Sequence, residues 1–241
     1  MIIGVNGYSG SGKDTVGIII QYLLSNSKGD LTIEEACSDH AHHEWWLEDQ
    51  SGWEIKKFAG KLKQIGSMLT GIPVEKFEDQ EFKKTELGPE WTTIDYNYRY
   101  SGAYIPNTSI PVEITEVNKP MTVRDFLQKL GTDGLRTGLH PNVWVNALMA
   151  DYNLMEYNDD EQGHYPNWII TDTRFPNEAI AIKSRGGIII RIDRPYVKPI
   201  NDHPSEIGLD EWNFDYKIAN ASDLTALTFT VENILKEKKL I

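Results

Sequence analysis

The side chains best suited to chemistry open the chain. Gly7-Tyr8-Ser9-Gly10-Ser11-Gly12-Lys13-Asp14-Thr15 sets three glycines around small polar residues and ends on a lysine. Glycine reaches backbone conformations closed to other residues, so successive N–H groups can turn inward around a phosphate. The helix that follows adds partial positive charge from its N-terminus, and Lys13 adds a point charge that reaches the outer phosphates of a nucleotide. The flanks agree. Ile2 to Val5 is a short apolar run that reads as a buried strand, and Val16, Ile19, Ile20, Leu23 and Leu24 recur on one helix face. Asp14 stands where a Ser or Thr usually follows the lysine, and Thr15 comes one place later. Two groups are therefore candidates for Mg2+: the Thr15 hydroxyl, directly or through a water, and the Asp14 carboxylate. The competing explanation is a glycine-rich turn without a ligand, which the strand before and helix after disfavour.

A second set of residues fits the same chemistry. Trp168 to Asp172 is an apolar run ending in a carboxylate, and Arg174 follows. Ligand sites in open α/β sheets lie at the carboxyl ends of strands. Moving a phosphoryl group between two anions needs fixed positive charge at the transferring group. The candidate donors are Arg124, Arg136, Arg174, Arg191 and Arg194. Arg191 lies inside a strand and is the one expected to point away. Lys13, Arg136, Asp172 and Arg174 form the expected catalytic set. The bland readings are a turn or capping role for Asp172 and solvated surface positions for the arginines. His40, His42 and His43 invite a metal reading, but a one-residue gap is poor for one helix face, and a solvated loop accounts for them.

The elements that must position these groups alternate strand and helix. Strands are expected at Ile2–Val5, Ile55–Ala59, Trp168–Asp172, Ile188–Ile192 and Phe214–Ile218. Helices are expected from Thr15, over Leu62–Leu69, from Thr122, from Asn142 to Tyr157, from Pro176 and from Ser222, with Ser222 as the last N-cap. That alternation gives a mainly parallel sheet covered on both faces. Residues 27–54 read as a loop-rich insertion and 86–121 as a second one with a hairpin at Val112–Thr115. Trp45, Trp46 and Trp53 read as cover for the core. With 241 residues and 40% apolar content, the chain can bury one large core or two small ones. The formal net charge of −12 and the lack of a basic stripe argue against duplex binding. Cys37 is the only cysteine, which excludes an intramolecular disulfide and fits a reducing cytoplasm. No apolar run approaches the roughly 20 residues of a membrane span, and the N-terminus does not read as a signal peptide.

Six segments together resemble the phage-type deoxynucleoside monophosphate kinases. They are Ser11-Gly12-Lys13-Asp14-Thr15, Lys57-Phe58-Ala59-Gly60-Lys61-Leu62-Lys63, Phe126-Leu127-Gln128-Lys129-Leu130-Gly131-Thr132, Asn142-Val143-Trp144, Asp172-Thr173-Arg174-Phe175-Pro176-Asn177-Glu178 and His203-Pro204-Ser205-Glu206. The resemblance spans nearly the whole chain. It implies a single α/β domain over 1–241, a three-layer P-loop kinase fold. The sheet would be mainly parallel with helices on both faces, insertions at 30–54 and 88–121, and a lid near 194–206. It implies ATP and Mg2+ as cofactors, with ATP at Gly10, Ser11, Gly12, Lys13, Asp14, Thr15 and Arg194 and the adenine near Asn220 and Ala221. It implies an acceptor pocket from Phe58, Lys63, Arg124, Gln128, Gly131, Thr132, Arg136 and Trp144, with Asp172, Arg174 and Glu178 near the phosphates. The expected partners are small nucleotides, without nucleic acid or membrane, and a homodimer is common among such enzymes. The expected compartment is the cytoplasm, the host's if the chain is phage-encoded. Animal-type phosphomevalonate kinases resemble the same framework, and a non-catalytic ATP-binding module is the remaining alternative.

Overall fold

Short apolar runs become the strands of one parallel sheet. The computed structural model describes residues 1–25, 31–38, 40–100, 111–155, 163–199 and 204–241. In chain order the elements begin with β1 (Ile2–Asn6), α1 (Lys13–Leu24), α2 (Ile33–Ser38), α3 (His40–Ser51), β2 (Trp53–Lys56) and α4 (Gly60–Thr70). Next come β3 (Thr93–Tyr100), β4 (Pro111–Lys119), α5 (Val123–Gln128), a π-helical stretch at Lys129–Thr137 and α6 (Val143–Met149). The chain closes with β5 (Asn167–Ile170), α7 (Pro176–Lys183), β6 (Ile188–Asp193), α8 (Pro204–Ile207), β7 (Tyr216–Ala219) and α9 (Leu224–Glu237). Two compact units emerge: Met1–Lys61 with Asn142–Ile241, and Leu62–Pro141.

The first unit holds the sheet, in the order β2-β5-β1-β6-β7 with every neighbour parallel. A parallel sheet covered on both faces demands nearly continuous apolar strands, and β1 is buried at all five positions. Ile3, Val5, Ile169, Ile190 and Ile192 turn toward α1 and α9, meeting Val16, Ile19, Ile20, Leu227, Val231 and Leu235. On the opposite face Gly4 lies so close to Ile182 of α7 that any side chain there would collide with it. The chain crosses from β5 to β6 over the central β1, so the segments leaving β1 and β5 emerge at the switch point where such sheets bind ligands.

Several boundaries differ from the sequence reading, each for a local reason. The loop expected over 27–54 is largely helical, apart from 26–30 and 39, which lie outside the described residues. Thr32 caps α2 by accepting from the Glu35 N–H at 3.2 Å while the Glu35 carboxylate accepts from the Thr32 N–H at 2.8 Å. Ala36 and Leu47 then close a small cluster with Ile18 and Leu31. The three tryptophans expected to cover the core divide, Trp53 being buried and Trp45 exposed. β2 ends at Lys56, short of Ala59. Helix α6 stops at Met149, where the Asn153 side chain donates to the freed Ala150 carbonyl; residue 157, its expected end, lies outside the described residues. β5 ends at Ile170, and just beyond it the Thr171 N–H still donates to the Lys56 carbonyl of β2 at 3.3 Å. β7 starts at Tyr216 rather than Phe214. The cap of α9 is Asp223, whose carboxylate accepts from the Ala226 N–H at 2.9 Å, and not Ser222.

The second unit is built on α4, α5 and the ribbon β3–β4, which is antiparallel and contains the hairpin strand expected at Val112–Thr115. Thr122 caps α5 with Asp125 in a reciprocal box. Gly66 of α4 faces Phe77, Phe126 and Leu127. Met68 and Leu69, which continue the apolar face of α4 in the sequence, are exposed.

Asp223→Ala should cost about 1 kcal/mol of stability, whereas Ser222→Ala should leave the urea midpoint unmoved. Equal effects of the two substitutions on denaturant unfolding would contradict this assignment of the cap.

Candidate active site

The loop leaving β1 folds back on itself as a cradle. Gly7 and Gly12 sit at φ 153° and 100°, in the region that favours glycine. A side chain at Gly7 would reach within 2.6 Å of the Ile192 carbonyl, and one at Gly12 within 2.7 Å of the Asn220 amide. The Ser11 N–H closes the turn on the Tyr8 carbonyl at 3.1 Å. Ser11 is buried, and its Oγ has no hydrogen-bond partner among the described residues. These features fit a ligand that supplies oxygen acceptors. Lys13 opens α1 and is itself only 8% exposed. Its Nζ donates to the Tyr8 carbonyl at 2.8 Å. Burial pushes the ammonium down to about 8, and Arg174 adds to that, while Asp14, Glu206 and Asp172 pull partly back.

The carboxylates nearby are already engaged. Asp14 Oδ1 accepts from the Thr171 hydroxyl at 2.6 Å and lies 3.2 Å from Lys57 Nζ. Desolvation works against its charge, but Lys57 and the Thr171 hydrogen bond prevail and hold the carboxyl below its ordinary range. Asp172 accepts from two consecutive backbone donors, Phe58 N–H at 2.7 Å and Ala59 N–H at 2.8 Å. It thereby secures the turn that opens α4 from a distant point in the sequence, which combines the capping and strand-end readings. Glu178, only 2% exposed, accepts from the N–H groups of Arg174 at 2.8 Å and Phe175 at 3.1 Å. It holds the backbone that carries Arg174.

The Arg174 guanidinium donates to Glu206 Oε1 of α8 at 3.0 Å and to the Ser205 carbonyl at 3.4 Å. Arg194 donates to the Gly10 carbonyl at 3.3 Å. The Asn220 side chain donates to the Ser11 carbonyl at 2.9 Å, and its N–H to the Asp193 carbonyl at 2.7 Å. Ala221 follows directly. Residues 200–203, including His203, fall outside the described residues, so only parts of the expected lid at 194–206 are on view. Phe58 and Trp144 are buried in this first unit.

The remaining expected acceptor residues belong to the second unit. Gly131, Thr132 and Arg136 lie on the π-helical stretch, a geometry often found at functional sites. A side chain at Gly131 would come within 2.8 Å of Leu62. Gln128 ends α5. Arg136 donates to the Pro141 carbonyl at 3.4 Å. Lys63 is buried and pairs with Glu78. Arg124 reaches Gln80 at 3.1 Å.

Sequence reasoning missed Thr171 and Lys57, which engage Asp14, and Tyr8, which holds Lys13. Their place beside the expected motifs was the available signal. It also missed Asp210, which no motif marks. Arg191, one of the candidate donors, is buried, and its guanidinium donates to Asn6, Asp193 and Asp210.

A phosphate cradle after the central strand of a five-stranded parallel sheet, with a buried lysine and an oriented arginine, defines a P-loop phosphotransferase. A family model for deoxynucleotide monophosphate kinase matches residues 83–231, more than half of the chain. The deoxynucleotide monophosphate kinase of Enterobacteria phage T4 is 31% identical over 246 residues, covering 98% of each chain. That of Escherichia phage RB69 is 27% identical over 131 residues, 54% of this chain and 52% of its own. The chain belongs to the deoxynucleotide monophosphate kinase family. Neither the phosphomevalonate reading nor the non-catalytic module is favoured by these matches.

The depressed Lys13 pKa gives a pH dependence of definite sign. A phosphate beside the ammonium stabilises its charged form, so binding must raise the pKa from about 8. ATP binding should therefore take up a proton near that pH, and affinity should fall as pH rises through it. Calorimetry from about pH 7.5 to about 9.5, in buffers of different ionisation enthalpy, measures both. A flat affinity without proton uptake would contradict the burial argument.

Proposed function

We propose that this chain phosphorylates deoxynucleoside monophosphates to diphosphates, taking the γ-phosphoryl group of ATP by direct transfer. The observation that carries the reading is the buried Lys13 ammonium inside a glycine cradle, with Arg174 held nearby through both its backbone and its guanidinium. Such a site stabilises charge on phosphates by fixed donors, which is the main demand of phosphoryl transfer. Family membership supplies the acceptor class.

The contacts, together with the family resemblance, support these roles. The backbone N–H groups of Gly10 and Gly12, the Ser11 hydroxyl and the charge of Lys13 bind the ATP phosphates. Arg194 and Asn220 steady the loop at the Gly10 and Ser11 carbonyls, with Ala221 beside the adenine. Arg174 offsets charge at the transferring group. Asp172 and Glu178 act as positioning residues, because their oxygens hold the backbone at Phe58–Ala59 and at Arg174. By the family resemblance Phe58 and Trp144 of the first unit serve the acceptor; the same resemblance assigns acceptor roles to Lys63, Arg124, Gln128, Gly131, Thr132 and Arg136 within the second unit. Thr15 and Asp14 are the residues that would hold Mg2+, and Thr15 is preferred because Asp14 is tied to Lys57 and Thr171. The metal would neutralise phosphate charge. Among the described residues no helix is long and apolar enough to cross a membrane, and the cytoplasm, the host's if the chain is phage-encoded, supplies both substrates. A homodimer is compatible with this chemistry.

ADP formation with ATP and Mg2+ against a panel of deoxynucleoside and ribonucleoside monophosphates tests the proposal. Turnover with deoxynucleotides is expected, falling at least a hundredfold in Lys13→Ala, on the scale of losing a key charge-stabilising donor. Silence across the panel would overturn the function, and wild-type rates in Lys13→Ala would overturn the assigned role. Chelation should abolish turnover and added Mg2+ restore it. Thr15→Ala should raise the Mg2+ concentration needed for half-maximal rate more than Asp14→Asn does; the reverse order would transfer the metal to Asp14.

A further inference from the structure

Behind the phosphate cradle lies a buried charged network that the transfer reaction does not itself require. Arg191 projects from β6 with its side chain only 7% exposed. Burial works against its charge, yet Asp193 and Tyr8 outweigh that and favour the cation. Its guanidinium donates to Asp193 at 2.9 Å, to Asn6 Oδ1 at 2.6 Å and to Asp210 Oδ1 at 3.3 Å. It also lies 4.5 Å from the centre of the Tyr8 ring, in cation–π range. The Tyr8 hydroxyl donates to the other oxygen of Asp210 at 2.9 Å.

Tyr8 and Asn6 connect this network to the site. The Tyr8 carbonyl receives both Lys13 Nζ and the Ser11 N–H. The Asn6 amide donates to the Thr173 carbonyl at 2.7 Å, one residue before Arg174. A single buried guanidinium thus anchors the start of the cradle and the turn that carries the transferring arginine. Asp210 closes the arrangement from the segment that follows α8. Buried charges usually persist only where they are paired and satisfied, and Nε and Nη1 of Arg191 land on Asp193, Asn6 and Asp210.

We propose that Asp210, bridging the Tyr8 hydroxyl and Arg191, is a positioning residue for ATP: it holds the Tyr8 ring and so fixes the backbone carbonyl that orients Lys13. This rests on the reading of the glycine loop as the ATP site. Losing the bridge lets the Tyr8 turn move, and with it the carbonyl that orients Lys13, so the defect falls on ATP and spares the acceptor.

Tyr8→Phe, which removes one oxygen and keeps the ring, and Asp210→Asn are compared with wild type and with the double variant. Each single change should raise both KM and Kd for ATP about fivefold, the scale of one partly exposed hydrogen bond to a charged group. KM for the deoxynucleotide should stay unchanged, and the double variant should be no worse than the more affected single one, because both changes break the same contact. A role confined to stability would lower the melting temperature and the active fraction without moving KM for ATP. Unchanged KM and Kd for ATP, or equal shifts for both substrates, would overturn the proposal. Kd by calorimetry needs no turnover. Wild-type protein that binds ATP without transferring phosphate would sink the proposed function while leaving this comparison decisive.

Discussion

A buried ammonium is the constraint on which the rest of the site depends. Desolvating a charge is costly unless partners replace the lost water. Lys13 is 8% exposed, and its one hydrogen bond among the described residues is to a neutral carbonyl. The fold accepts a cation whose pKa is pushed down to about 8, and a phosphate anion relieves that cost on binding. Position follows from the same demand. The lysine opens a helix at the end of the central strand, where the chain crosses the sheet, and the glycines let the backbone present donors there.

The surrounding carboxylates show how the site keeps its cations directed. Asp172 and Glu178 sit close enough to attract Lys13 or Arg174, yet each spends its charge on two backbone N–H groups. A hydrogen bond to an ionised acceptor contributes roughly 1.5–3 kcal/mol, so two such bonds make these carboxylates strong local anchors. Glu206 does pair with Arg174, which orients the guanidinium between the helix that carries Glu206 and the turn that carries Arg174. Arg191 takes no such part. It is the hub of a scaffold behind the loop. Arginines of identical chemistry are thus divided between substrate and structure by what each side chain meets on leaving its strand or turn.

That division marks the limit of what the sequence could disclose. The cradle, the central strand and the faces of α1 and α9 were legible, because glycine spacing, apolar runs and helical periods are local properties. Arg174 was singled out from its place after strand β5, and Arg194 from the family resemblance alone. The helices α2 and α3 were not, because among their described side chains only Ala36 and Leu47 are fully buried and their other apolar residues keep no clean helical period. The short end of β5 was also hidden: Thr171 continues the β-branched pattern, its N–H still donates to the Lys56 carbonyl, and its hydroxyl turns to Asp14. Asp210 was invisible, since its partners are Tyr8 and Arg191, far away in the chain. Long-range polar contacts leave no period to read.

The central claim is that fixed charges position two phosphates for direct transfer, with no covalent intermediate on the protein. The most direct test uses ATP made chiral at its γ-phosphorus with sulfur and oxygen isotopes, and reads the configuration of the deoxynucleoside diphosphate product. The account predicts inversion, the outcome of a single in-line displacement. Retention would reveal two successive transfers through a protein side chain and contradict it.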